Sequence, residues 1–225
     1  MVKRWRLDRW LALVALVVAV FIWGAFSHGT KQADEILGQS GGVLGEALLE
    51  LHAAQARTPH YDRAEFGERW ADVDRNGCDT RNDILSRDLE QVRYRPGTGG
   101  CVVQEGVLQD PYTGETIYFE RGPETSEAVQ IDHVVALSDA WHSGAYEWSA
   151  AEREEFANDP LNLLAVDGPA NQDKGSLAAD GWLPEEESYH CEFVARQIAV
   201  KSKWGLAVTD SERQTLAEVL VGCTE

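Results

Sequence analysis

Apolar positions run unbroken from Leu11 to Phe26, directly after the basic stretch MVKRWRLDRW. That run is slightly short for a spanning helix, which needs about 17–25 residues. It is slightly long for a signal-peptide core of about 7–15. Residues 1–29 therefore predict a cleaved signal peptide, cut near Ala25–Ser27, or a membrane anchor through residues 10–26. Either way the chain from about residue 30 onward is exported. Apolar positions at helical spacing over residues 30–58, interrupted at Gly41-Gly42, predict a helical connector. The folded body is expected over residues 59–225, opening with Tyr61, DRAEFG and Trp70.

Within the body the period changes repeatedly. Gly106–Leu108, the turn residues Asp110–Gly114 and Thr116–Phe119 predict a β-hairpin. An apolar run, Ile131–Val135, carries Asp132 and His133 side by side. Ser149 followed by Glu152 is a capping-box signature opening a helix through about Ala157, and Asn158-Asp159-Pro160 ends it. Leu161–Val166 predicts a short strand and Asp167-Gly168-Pro169 a turn, before a helix carrying Asn171. Helices follow near Glu192–Trp204, stopped by Gly205, and from Thr209, where a second capping-box signature ends at Glu212. The sum is an α+β domain.

Composition changes the picture in two ways. The 225 residues carry a net charge of -18, and since the first 30 contribute +3, the exported part carries -21. Such acidity opposes a non-specific nucleic-acid coat. The four cysteines, Cys78, Cys101, Cys191 and Cys223, all lie in the exported part, where an even count predicts two disulfides. The local closures Cys78–Cys101 and Cys191–Cys223 are favoured over four free thiols. No CxxC or HxxxH spacing supports zinc.

Two adjacent ionisable groups in an apolar run need compensation, because burying either unpartnered costs several kcal/mol. Asp132 is a hard oxygen ligand for Mg²⁺, with Mn²⁺ or another divalent ion as alternative, and Asn171 can add an amide oxygen. His133, with an ordinary pKa of about 6.5, offers a neutral base near pH 7. Asn162 is expected to orient that imidazole through its side chain or its carbonyl. Lys174 lies three residues after Asn171, on the same helical face, and can meet a phosphate as a point charge. Arg81 is a second candidate phosphate contact, although the alternation of Asp79, Arg81, Asp83 and Arg87 also suits a salt-bridged scaffold. Trp141, Trp148, Trp182 and Trp204 are expected in the core, and His142 on the surface.

The ordered set DHVVAL…NLLAVDGPANQDKG resembles the HNH, or His-Me finger, nucleases of the HNN variety. YDRAEFG…W, GCDTRNDIL, DPYTGETIYF and CEFVARQIAVKSKWGL are similar to secreted HNH endonuclease family proteins, whose domain is related to the C-terminal part of GmrSD-type restriction enzymes. The resemblance spans about Tyr61 to Cys223. It implies a ββα-metal core among helices, with Asp132 and Asn171 as ligands of one divalent cation. It also implies His133 as general base, Asn162 as its orienting partner, and DNA, with RNA as a further candidate, as substrate. The disulfide pairing above agrees with the family's cysteine pattern. A long insertion between His133 and Asn162 departs from the family pattern and is expected to cover part of the site. Two other readings compete: an exported phosphodiesterase for smaller esters, and a non-catalytic binding module that keeps the finger as structure.

Overall fold

A computed structural model describes residues 42–55 and 57–223. The apolar run at 11–26 and the start of the expected connector lie outside these residues. Among the described residues no helix is long and apolar enough to cross a membrane. Helix α1 (Gly42–Glu50) is not a free connector. Its Leu48 is fully buried in one core cluster with Phe193, Val194 and Ile198. It therefore belongs to the body, which begins earlier than Tyr61.

After a short 3₁₀ turn at Arg63–Phe66, helix α2 (Thr80–Asp88) leads into strands β1 (Glu90–Tyr94), β2 (Val103–Gln109) and β3 (Thr116–Glu120). These form an antiparallel sheet in the order β1-β2-β3. The expected hairpin is its β2–β3 half; β1 was unforeseen because EQVRY lacks a one-sided apolar pattern and is mostly exposed. Asp79 starts α2 by accepting from the Asn82 amide, the usual service of an aspartate N-cap.

Strand β4 (Val129–His133) pairs antiparallel with β5 (Leu163–Asp167) in a separate two-stranded sheet. Between them lie helices α3 (Leu137–His142) and α4 (Ala150–Ala157), and helix α5 (Gly168–Lys174) follows β5 without a loop. The capping box at Ser149 and Glu152 forms as expected. The turn expected at Asp167-Gly168-Pro169 is instead the start of α5: Asp167 caps it and Pro169 occupies its first turn, where a missing N–H costs nothing. Gly168 is required there. A Cβ would collide with the Glu127 carbonyl oxygen, and the Gly168 amide donates to the Ala128 carbonyl at 3.0 Å.

The free edge of β5 is closed by side chains. The Arg87 guanidinium donates to the Leu163 carbonyl at 2.7 Å. Asp88 accepts from the Ala165 amide, and Asp110 from the Asp167 amide, each at 2.8 Å. Such pairing satisfies backbone groups that would otherwise invite another strand. Arg87 is thus scaffold.

Helices α6 (His190–Trp204) and α7 (Asp210–Gly222) complete the body. Both disulfides are as expected, Cys78–Cys101 and Cys191–Cys223. The second joins the start of α6 to the residue after α7, closing a loop worth roughly 3–4 kcal/mol by chain entropy. Three apolar clusters fill the interior. Trp141 is buried and Trp148, Trp182 and Trp204 pack against the clusters.

The capping box at Thr209 is only half formed. Thr209 accepts from the Glu212 amide, but the Glu212 carboxylate is turned inward to Lys201 at 2.6 Å. Lys201, fully buried, also meets Asp139 at 2.9 Å. Burial, opposed by Lys201 and reinforced by Asp139, leaves Glu212 raised to about 7. Burial alone would lower Lys201, yet its two carboxylates outweigh that and raise it. Because the folded Glu212 value lies above the ordinary 4.5, its contribution to stability is complete below about 4.5 and is lost as pH climbs through about 7. Glu212→Gln is expected to flatten this loss, by up to about 3 kcal/mol at pH 8. Melting temperatures at pH 5 and pH 8 test it, and equal pH slopes for the two proteins would refute it.

Candidate functional site

Alternation along β4 sends Gln130 and Asp132 to one face, and Val129, Ile131 and His133 to the other. The first face meets α5. The second packs on Ile84, Leu85 and Trp70. Asp132 and His133 nevertheless line one open cavity of about 430 Å³, together with Asn171. They can do so because the ladder stops at the His133–Leu163 pair.

Asn162 causes that stop. It is fully buried, and its side-chain oxygen accepts from the Val135 amide at 2.8 Å while its amide donates to the Val135 carbonyl at 3.1 Å. Its own carbonyl accepts from Val134 at 2.8 Å. The side chain replaces the next rung of the ladder, which lets the chain curl away after His133. The expectation that Asn162 holds the imidazole is corrected accordingly.

The partner of His133 is the Ala157 carbonyl, 2.8 Å from Nε2, at the last residue of α4. A carbonyl accepts, so the proton sits on Nε2, and Nδ1 is left as the basic nitrogen. The ring stacks on Trp70 with centroids 6.2 Å apart and planes 12° apart. Trp70 holds a left-handed backbone, φ +60°. For a bulky residue that conformation is strained and marks a position fixed by its surroundings. Burial lowers the His133 pKa to about 4, more than the Ala157 bond and Asp132 raise it. The imidazole is neutral at pH 7.

Asp132 is nearly inaccessible at 5 % exposure, and both its oxygens are engaged. Lys174 Nζ donates to Oδ1 at 2.9 Å, and the Tyr112 hydroxyl donates to Oδ2 at 2.6 Å. Lys174 is itself 0 % exposed and also donates to the His133 carbonyl at 2.9 Å. It cannot reach a substrate phosphate, and that expectation is corrected: it is the counter-charge that makes the buried aspartate affordable. Tyr112 sits in a cluster with Trp182 and Phe193, and burial, then Asp132, push its hydroxyl well above the ordinary range. Arg81 is also corrected. It lies away from the cavity and donates to the Val129 carbonyl at 3.3 Å.

Asn171 Nδ2 donates to Gln130 Oε1 at 2.9 Å, which fixes the amide and leaves Oδ1 as an available acceptor. An ionised carboxylate has about four lone-pair sites, so Asp132 retains two after its bonds to Tyr112 and Lys174. Among the described residues no group of three or more His, Cys, Asp or Glu side chains is arranged to hold a metal ion. Among the oxygen donors that line the cavity, the Asp132 carboxylate and the Asn171 amide oxygen fit a small hard cation that keeps most of its water. They do not fit a closed protein cage.

Tyr112, Ala157, Trp70 and Gln130 were missed as site residues in the sequence. Ala157 contributes only backbone, which leaves no signal. Tyr112 lies in the quoted DPYTG turn and Trp70 ends the quoted DRAEFG…W stretch, but neither type announces its partner.

Residues 79–219 match the family described as GmrSD restriction endonucleases, C-terminal domain. A protein of Arthroderma benhamiae named "Uncharacterized secreted protein" is 37% identical over 165 residues, covering 72% of this chain and 76% of its own length. No solved structure matches. The family match over residues 79–219 spans more than half of the chain, which belongs to the family of the GmrSD restriction endonuclease C-terminal domain.

Proposed function

We propose that this protein is an exported, metal-dependent endonuclease of the HNH type that hydrolyses phosphodiester bonds of DNA. Strands β4 and β5 with helix α5 would be its ββα finger. The observation that carries this reading is the imidazole of His133. It is neutral, tied through Nε2 to a backbone carbonyl, and shares a cavity with Asp132 and Asn171. Export is supported by the two disulfides, the basic-then-apolar start of the chain, and the printed name of the Arthroderma relative.

His133 Nδ1 takes a proton from water as the water oxygen attacks phosphorus, and the bond to the leaving ester oxygen breaks. A fixed tautomer and a ring held by Trp70 keep the base aimed without reorganisation. Asp132 and Asn171 would hold one divalent cation, Mg²⁺ or Mn²⁺. Such a cation offsets charge on the phosphoryl and leaving oxygens. Lys174 and Tyr112 fix the Asp132 carboxylate, and Asn162 fixes the end of β4 on which both reactive side chains ride. Because Lys174 already neutralises Asp132, Asp132 and Asn171 would hold such a cation only weakly by themselves.

The test is incubation of the full chain with supercoiled plasmid and Mg²⁺ or Mn²⁺, with and without excess chelator. Nicking that chelator abolishes is the expected result. Hydrolysis of small bis-phosphate esters with none of polymers would replace this reading with a phosphodiesterase. Nucleic-acid binding without cleavage in any divalent ion would replace it with a binding module.

A further inference from the structure

The wall of the cavity nearest Trp70 is built by residues 61–70, which precede the span matched by the family. Two arginines of that segment, Arg63 and Arg69, line the cavity with His133. Among the described residues neither has a carboxylate within ion-pair distance, although the protein carries 38 acids against 20 bases. Of the three acids of the same segment, Asp62 caps the 3₁₀ turn and Glu65 pairs with Arg153 at 2.8 Å, while the exposed Glu68 forms no ion pair among the described residues. Among the described residues the single carboxylate lining the cavity is Asp132, already neutralised by Lys174. Burial and the neighbouring Arg69 both push the Arg63 guanidinium down from its ordinary value, so the two cations repel each other.

Holding two like charges together without a counter-ion is unfavourable in the free protein. The segment is nonetheless pinned: Phe66 is fully buried, and Arg153 grips both the Glu65 carbonyl, at 2.8 Å, and its carboxylate. The arrangement is stabilised when an anion arrives, and guanidinium forks match phosphate oxygens. We infer that Arg63 and Arg69 bind the phosphodiester backbone of the polynucleotide beside His133, making residues 61–70 part of the substrate site. This rests on the nuclease reading and names the surface by which an acidic protein takes an acidic polymer. It places the affinity in two local charges rather than in net charge.

The experiment measures binding of a fluorescein-labelled DNA duplex to the full-length His133→Ala chain in chelator, across a range of salt. Adding Arg63→Gln and Arg69→Gln is expected to reduce the slope of log affinity against log salt by about 0.9 per arginine. Affinity should fall alike for duplexes of unrelated sequence. Arg69 is exposed, so Arg69→Gln alone keeps the test open if the Arg63 variant fails to fold. An unchanged slope in a variant that melts as its parent does, or no binding by the parent, overturns the inference. Plasmid cleavage by the otherwise unaltered protein is scored separately. If it cuts while the slopes stay unchanged, the arginine assignment fails and the nuclease reading survives.

Discussion

Lys174→Met is expected to destabilise the protein by about 3–5 kcal/mol, the cost of leaving one member of a buried ion pair unpartnered. For a body of this size the melting temperature should fall by on the order of 10 °C. Lys174 is fully buried and bridges the Asp132 carboxylate to the His133 carbonyl, so the methionine leaves a charged oxygen and a backbone oxygen without their donor. Methionine fills the volume, which separates the electrostatic loss from a cavity. Removing the charge as well, in Asp132→Asn with Lys174→Met, is expected to restore part of the stability while leaving no activity. A melting temperature within 2 °C of the parent for the single variant would show that the pair contributes little.

The largest catalytic effect is expected at His133. His133→Ala should lower kcat by about 10²–10⁴, the usual span for losing a general base. The ring also donates to Ala157 and stacks on Trp70, so truncation disturbs packing as well as chemistry. His133→Gln is the control: its amide can still donate to the Ala157 carbonyl, but it cannot accept a proton from water. Both variants should lose cleavage while the glutamine variant melts close to the parent. Cleavage by the glutamine variant within tenfold of the parent would remove His133 from the role of base.

Much of this site was legible as an ordered list of residue types, and little of it as geometry. The adjacent pair Asp132 and His133 and the distant Asn171 line the same cavity, because a strand end and a helix start are local features with local signals. The errors came from side chains whose default behaviour is exposed. Lys174 reads as a solvated cation, and nothing nearby in sequence reveals that Asp132 will be buried beside it. Asn162 reads as a partner for a histidine; its actual task, substituting for a ladder rung, is invisible without the strand register. Helix α1 read as a linker because its partners, α6 and α7, lie more than a hundred residues away. The disulfides were legible because both closures are short.

The carbonyl that chooses the protonated nitrogen of His133 belongs to the last residue of α4, inside the excursion that separates β4 from β5. That excursion is therefore not an ornament on a two-stranded sheet. Trimming residues 134–162 to a tight hairpin would keep every backbone pairing of the strands and still set the imidazole adrift between two tautomers. Part of the population would then present an N–H where a lone pair is needed, and turnover would follow that fraction at every pH. Loop length here is a control on proton bookkeeping.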